Sequence, residues 1–219
     1  MARRNYKLIV LDWDGTVMDS LGVIVACAQE ACRDLGVPVA SDSDIRHLVG
    51  LRLDVIAERL LPGHPDARAP WIGRYSHHWI HTFHDRLKLL PGAQEAVEDL
   101  AQRGYWLAVA TGKSRRGLSR DFENTGLGSL FLTSRTVDES PSKPSPEMLL
   151  EIIDELGVRR EETLMVGDTT HDLLMANNAS VDAVAVLSGS HDRRTLLGER
   201  PVACLDDLGR LVAWLEGSP

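Results

Sequence analysis

Two carboxylates, Asp12 and Asp14, end the aliphatic run Leu8-Ile9-Val10-Leu11 and are followed at once by Gly15-Thr16. The run reads as a strand buried on both faces, because nothing in it is polar. Residues two apart point the same way in a pleated chain, so both acids can approach one small space while Trp13 faces elsewhere. Gly15 permits a sharp turn with its amides open to an anion. Acids at the tip of a buried strand are costly unless something neutralises them, which argues for a site. A plain turn uses the same residue types; what favours a site is the rest of the polar set. Thr111 and Asp168 each follow an aliphatic stretch of their own, Lys143 lies in a polar loop after another, and Asp172 stands close behind Asp168.

The elements that must position these residues follow from periodicity. Residues 19–35 carry apolar side chains at helical spacing (Val23, Ile24, Cys27, Ala31, Leu35), and Gly36 ends the run. Further helices are expected over 43–49, 53–61 and 67–88, the last rich in aromatics, with no strand between them. Leu89-Leu90-Pro91-Gly92 reads as a hinge. Beyond it, helix and strand alternate. Helices are expected over 93–102, 118–125 and 172–179, and strands over 105–110, 130–133, 163–166 and 183–187. One more helix has Ser145 as N-cap, Pro146 at its first position and Gly157 past its end. Such alternation implies a parallel sheet covered by helices, whose strand ends share one ligand-binding edge. Asp12, Thr111, Asp168 and Lys143, far apart in the chain, would meet there.

Composition limits the partners. A chain of 219 residues, 43% hydrophobic, suits one large domain or a domain with an insert. A formal net charge of −8 disfavours nucleic acid and anionic membranes, and no apolar run reaches membrane-spanning length. The basic opening Met1-Ala2-Arg3-Arg4 precedes too few aliphatics for a signal peptide. Cys27, Cys32 and Cys204 have no metal spacing and leave an odd thiol, which points to small buried residues in the cytoplasm.

Four segments in order, Asp12-Trp13-Asp14-Gly15-Thr16-Val17-Met18-Asp19-Ser20, Ala110-Thr111-Gly112-Lys113, Lys143-Pro144 and Gly167-Asp168-Thr169-Thr170-His171-Asp172, resemble the motifs of the haloacid dehalogenase superfamily, close to its phosphoglycolate phosphatase group. The resemblance covers nearly the whole chain. It implies an α/β fold, a Rossmann-like parallel sheet core with an inserted α-helical cap domain: residues 1–17 and 91–219 as core, 18–90 as cap. It implies Asp12 as the nucleophile that becomes an aspartyl-phosphate, and Asp14 as acid for the leaving oxygen, then base for water. Thr111 and Lys143 would hold the phosphoryl group, with Gly15, Thr16 and Gly112 around it. Asp168 would bind Mg²⁺ with the Asp12 side chain and the Asp14 carbonyl, and Asp172 would support the ion directly or through water. Trp13 stands where Phe is common in the family, and Ala179-Ser180 replaces a pair that usually ends in Gly.

The residues themselves ask for that cation: Asp12, Asp14, Asp168 and Asp172 would repel one another and an incoming phosphate, and Mg²⁺ takes oxygen ligands that it shares with phosphates. Within the superfamily, Asp14 and Asp168 disfavour dehalogenation, and the transport ATPases carry Thr at the Asp14 position. Arg52, after the loop His47-Leu48-Val49-Gly50-Leu51, is a candidate for a second anionic group of the substrate; an exposed helix-start arginine is the competing reading. His77, His81 and His84 share a helix face, which reads as partly solvated rather than as a metal site. Lys113, Arg115 and Arg116 read as the polar start of a helix rather than an anion clamp, with a neighbouring substrate charge as the competing reading. The expected activity is Mg²⁺-dependent hydrolysis of a small phosphorylated metabolite, a phosphoglycolate-like phosphomonoester, by a cytoplasmic monomer or homodimer. The alternatives are pyrophosphate hydrolysis, sugar phosphomutase chemistry, and a non-catalytic binding protein on the same fold.

Overall fold

A computed structural model describes residues 5–217; the basic opening segment 1–4 lies outside the described residues. The central strand β1 (Leu8–Leu11) leads to a two-residue strand β2 (Met18–Asp19), then helices α1 (Leu21–Leu35), α2 (Asp42–Arg46), α3 (Leu53–Leu60) and α4 (Arg68–His81), and a short return strand β3 (Lys88–Leu89). From there run α5 (Ala93–Gln102), β4 (Trp106–Thr111), α6 (Arg115–Thr125), β5 (Thr133–Thr136), α7 (Glu147–Leu156), β6 (Thr163–Gly167), α8 (Thr170–Ala179), β7 (Asp182–Val186), α9 (Arg193–Gly198), β8 (Ala203–Leu205) and α10 (Leu211–Leu215).

Six strands form one parallel sheet in the order β5-β4-β1-β6-β7-β8. Alternation along β1 sends its side chains to two cores. Ile9 and Leu11 pack with Val97 and Leu100 of α5, Leu118 of α6 and Leu211 of α10. Leu8 and Val10 pack with Met148 and Ile152 of α7 and Leu173 and Ala176 of α8. The helices of the insert close around a third core that includes Ala28, Ala31, Ile45, Ile56 and Trp71. Register then decides where the polar residues emerge. Leu11 lies opposite Val109 on one side and Val166 on the other, so Asp12, Thr111 and Asp168 leave the sheet at one edge. That edge lies where the chain order reverses about β1, the usual ligand-binding place of open α/β sheets.

Several expectations need correction. The fourth helix ends at His81, not 88, because Phe83 turns inward onto Val23 and Cys27. Two strands then interrupt what read as helix and hinge: Met18 and Asp19 pair antiparallel with Leu89 and Lys88 where the chain enters and leaves the insert. The strand expected over 130–133 is β5, shifted to Thr133–Thr136. Of the apolar residues in the expected strand, Leu130 and Phe131 are core contacts made from a 3₁₀ turn and the segment after it and Leu132 is exposed, while the edge strand itself is polar. Pro146 occupies the N-cap position rather than the first helical one. Helices α6 and α8 start earlier than expected, capped by the hydroxyls of Ser114 and Thr169. Ser180 ends α8 at φ 57°, so a non-glycine residue takes the left-handed position there.

Candidate active site

The turn after β1 is held by its own backbone: Gly15 N–H donates to Met18 O at 2.8 Å, and Val17 and Met18 N–H both donate to Trp13 O at 2.9 Å. Gly15 has φ +87°, and a Cβ on it would sit 2.5 Å from Asp168 Oδ2. Only glycine lets the acidic turn lie against the end of β6. Trp13 points away from the edge into the core, edge-on to Phe122 at 5.2 Å, and its indole N–H donates to Asp121 Oδ2 at 2.9 Å.

Four of the named residues meet below the turn. Asp12 and Lys143 are each 1% exposed, and Asp168 and Asp172 are fully buried. Lys143 Nζ lies 2.5 Å from Asp12 Oδ1 and 2.6 Å from Asp172 Oδ1. Asp168 accepts from Thr16 Oγ1 at 3.0 Å and from Ser190 N–H at 2.7 Å. Asp172 also caps α8, with Oδ2 taking Thr169 N–H at 3.0 Å and Thr169 Oγ1 at 2.7 Å. The second oxygen of Asp12 is buried without a hydrogen-bond partner among the described residues. Burial drives the electrostatics. It raises Asp12 well above the usual carboxylate range against the pull of Lys143. Burial, with Asp172 adding to it, raises Asp168 to about 7. For Lys143, burial alone would lower the pKa, but Asp12 and Asp172 hold the ammonium above its ordinary value.

Ligating oxygens of Asp12, Asp168 and Asp172 lie within 4.8 Å of one another, the one such cluster among the described residues. Three buried carboxylates against one ammonium leave a surplus of negative charge, and one Asp12 oxygen has no donor to offset it among the described residues. An oxygen-only donor set of this kind fits a hard divalent cation such as Mg²⁺.

Asp14 does not join the cluster through its side chain. Its Oδ1 accepts from Lys113 Nζ at 2.9 Å; that ammonium also lies 3.3 Å from Asp121 and 4.3 Å from the ring centre of Trp79 on α4. Thr111, at the end of β4, accepts the N–H of Lys113 at 3.2 Å. Above these residues, between sheet edge and insert, lies a cavity of about 440 Å³ with Asp12, Asp14, Thr111 and Gly112 in its lining. Gly112 touches the insert: a Cβ there would lie 2.4 Å from Gly50 O. Gly112→Ala is therefore expected to push the Gly50 loop off the site. Its kcat/KM should fall about 10- to 100-fold with a stability loss of only about 1–3 kcal/mol; kinetics and melting of the variant check this, and wild-type kinetics would show the contact to be idle.

Arg52 lines the same cavity, but its guanidinium already forms a fork on Asp54, at 3.0 Å to each oxygen. His77 and His81 have ring centres 4.8 Å apart on the exposed face of α4, while His84 leaves that helix and lies 3.1 Å from Asn124 Nδ2. The three imidazoles do not form a ligand cluster. Sequence reasoning missed Asp121, the tie of Lys113 to Asp14, and the Gly189-Ser190 loop under Asp168. The last was within reach, since that loop follows a parallel strand, β7, at the same edge.

The family model for haloacid dehalogenase-like hydrolases matches residues 9–186. A phosphoglycolate phosphatase of Vibrio parahaemolyticus is 28% identical, over 97% of both chains. The probable phosphatase IndB of Dickeya dadantii is 33% identical over 94% of this chain and 91% of its own. The crystal structure of a hydrolase from Pseudomonas syringae superposes with a TM-score of 0.86 at 22% identity, over 97% of this chain and all of the other, which speaks for the fold.

Proposed function

The chain belongs to the haloacid dehalogenase-like hydrolase family and is one of its phosphatases, and we propose that it hydrolyses a small phosphomonoester in two Mg²⁺-dependent steps through Asp12. The observation that carries the proposal is the bare Asp12 oxygen at the base of the cavity, its twin held 2.5 Å from Lys143. In the first step an Asp12 oxygen bonds to phosphorus and the ester P–O bond breaks. Asp14 gives its proton to the leaving oxygen. Water then attacks the phosphoryl group, Asp14 takes the water proton, and Asp12 is released with inorganic phosphate. One carboxyl thus serves as acid and then base. Thr111 and Gly112 orient the phosphoryl oxygens, with Gly15 and Thr16 at the turn beside them, and Lys143 offsets their charge.

Asp12, Asp168 and the main-chain carbonyl of Asp14 would hold Mg²⁺. Bound there, the ion supplies Lewis-acid polarisation of the phosphoryl oxygens. Asp172, held by Lys143 and Thr169, would support the ion directly or through water and by placing Lys143. Residues 18–90 act as a cap that closes on the core of 1–17 and 91–219 and excludes water from the first step. A phosphoglycolate-like metabolite in the cytoplasm is the matching substrate and setting.

Turnover of p-nitrophenyl phosphate tests the proposal. It should require Mg²⁺, vanish with a chelator and return when the ion is restored. Full activity after exhaustive chelation would contradict it, and no turnover at all would favour a binding protein.

Proton linkage gives a second test, read on stability. Asp12 and Asp168 have raised values in the metal-free fold, Asp168 at about 7 against an unfolded 3.8. Between these values the folded protein holds protons that the unfolded chain releases, so this contribution is full below the lower value and lost as pH rises through the upper. Chelated wild type should therefore lose more melting temperature from pH 5 to pH 8 than chelated Asp168→Asn, and Mg²⁺ should restore it at pH 8. Equal slopes for the two proteins would count against this electrostatic picture. Arg52→Ala should raise KM by about 10-fold if the fork on Asp54 opens to take a substrate anion. Unchanged kinetics would assign Arg52 to the start of α3 alone.

A further inference from the structure

We propose that the physiological leaving group joins an apolar body to a second oxyanion, and that Arg116 and Arg120 bind that oxyanion. The proposal rests on the phosphatase reading and narrows its substrate: like glycolate in carrying a second negative group, unlike it in bulk.

The cavity over Asp12 and Asp14 measures about 440 Å³, within the range of pockets that enclose drug-sized ligands. A two-carbon leaving group would fill a small part of it. The wall supplied by the insert is carbon-rich, with Ile24, Ile56, Ile72, Tyr75 and Trp79 on it. Displacing water from such a wall favours a hydrophobic or aromatic body. Among the described residues the Tyr75 hydroxyl has no hydrogen-bond partner, and burial holds its pKa well above the ordinary value, so it stays a neutral donor.

Facing that wall, α6 presents Arg116 and Arg120, four residues apart and hence on one side of the helix. Among the described residues neither guanidinium has an ion-pair or hydrogen-bond partner. Their basic neighbours are all engaged: Lys113 by Asp14 and Asp121, Arg115 by Glu139, and Arg52 by Asp54. Asp138, the acid on the same wall, accepts the backbone N–H of Arg115 at 2.6 Å. In a chain of net charge −8, two unpaired arginines lining the pocket of the nucleophile form a local positive field. Their forked donors match a carboxylate or phosphate oxyanion.

Three esters of primary alcohols test this with comparable leaving groups: benzyl phosphate, 4-carboxybenzyl phosphate and 2-phosphoglycolate. With Mg²⁺, wild type should show its highest kcat/KM on 4-carboxybenzyl phosphate, about 30-fold above each of the others. In the Arg116→Gln/Arg120→Gln double variant, the loss on 4-carboxybenzyl phosphate should exceed the loss on benzyl phosphate by about the same factor. Ile72→Ala should raise KM for the benzyl esters more than for 2-phosphoglycolate. A preference for 2-phosphoglycolate, or equal losses on both benzyl esters in the double variant, would overturn the assignment. Turnover of p-nitrophenyl phosphate without turnover of either benzyl ester would overturn the substrate class alone. Failure on every ester, p-nitrophenyl phosphate included, would overturn the phosphatase reading itself.

Discussion

Asp12→Asn should lower kcat by about 10⁴-fold or more and leave the fold standing. The amide keeps the shape of the carboxylate but is too weak a nucleophile to accept a phosphoryl group. Structure should survive because Lys143 keeps its second partner, Asp172, at 2.6 Å, and because one of three mutually repelling carboxylates loses its charge. The variant's melting temperature without Mg²⁺ should thus match or exceed that of wild type, while the stabilisation by Mg²⁺ shrinks. Kinetics and melting curves with and without the ion read both effects. Residual activity above a few per cent would remove Asp12 from the nucleophile's role.

Lys143→Met should be the most damaging single change to stability, by about 3–5 kcal/mol at neutral pH. The methionine fills similar volume but leaves Asp12, Asp168 and Asp172 buried together with no counter-charge among them. The loss should be largest at high pH and without Mg²⁺, and smaller near pH 5, where protonation relieves the repulsion. Activity should fall about 10²- to 10³-fold even where the variant is folded, because in the proposed mechanism the ammonium offsets charge at the phosphoryl group. Denaturant unfolding at pH 5 and pH 8, with and without Mg²⁺, checks the pattern. A pH-independent loss would show that Lys143 acts by packing rather than charge.

Legibility in the sequence tracked burial. Strands β1, β4, β6 and β7 are covered on both faces, so they appear as aliphatic runs that periodicity finds. Edge strand β5 reads Thr-Ser-Arg-Thr and has no such signal, and the two-residue strands β2 and β3 are too short to have one. The last strand and the helices around it, α9 and α10, also passed unread. At the site, Asp12, Thr111 and Asp168 were legible as strand ends because parallel register carries them to one edge. Partner choice was not. That Lys113 ties to Asp14 and Asp121, while Lys143 ties to Asp12 and Asp172, depends on how α6 and the Lys143 loop lie against the first turn. Local spacing is silent on such contacts. Asp121 shows this most clearly: a buried acid beside the core residues of α6, explained by an indole and an ammonium from elsewhere in the chain.

Trapping the covalent state tests the central claim most directly. Protein mixed with Mg²⁺ and a good phosphomonoester, quenched in acid and reduced with borohydride, should yield homoserine at position 12 in a peptide map, and only when both substrate and ion were present. An acyl phosphate found at Asp14, or no reducible acyl phosphate under conditions of rapid turnover, would contradict the account.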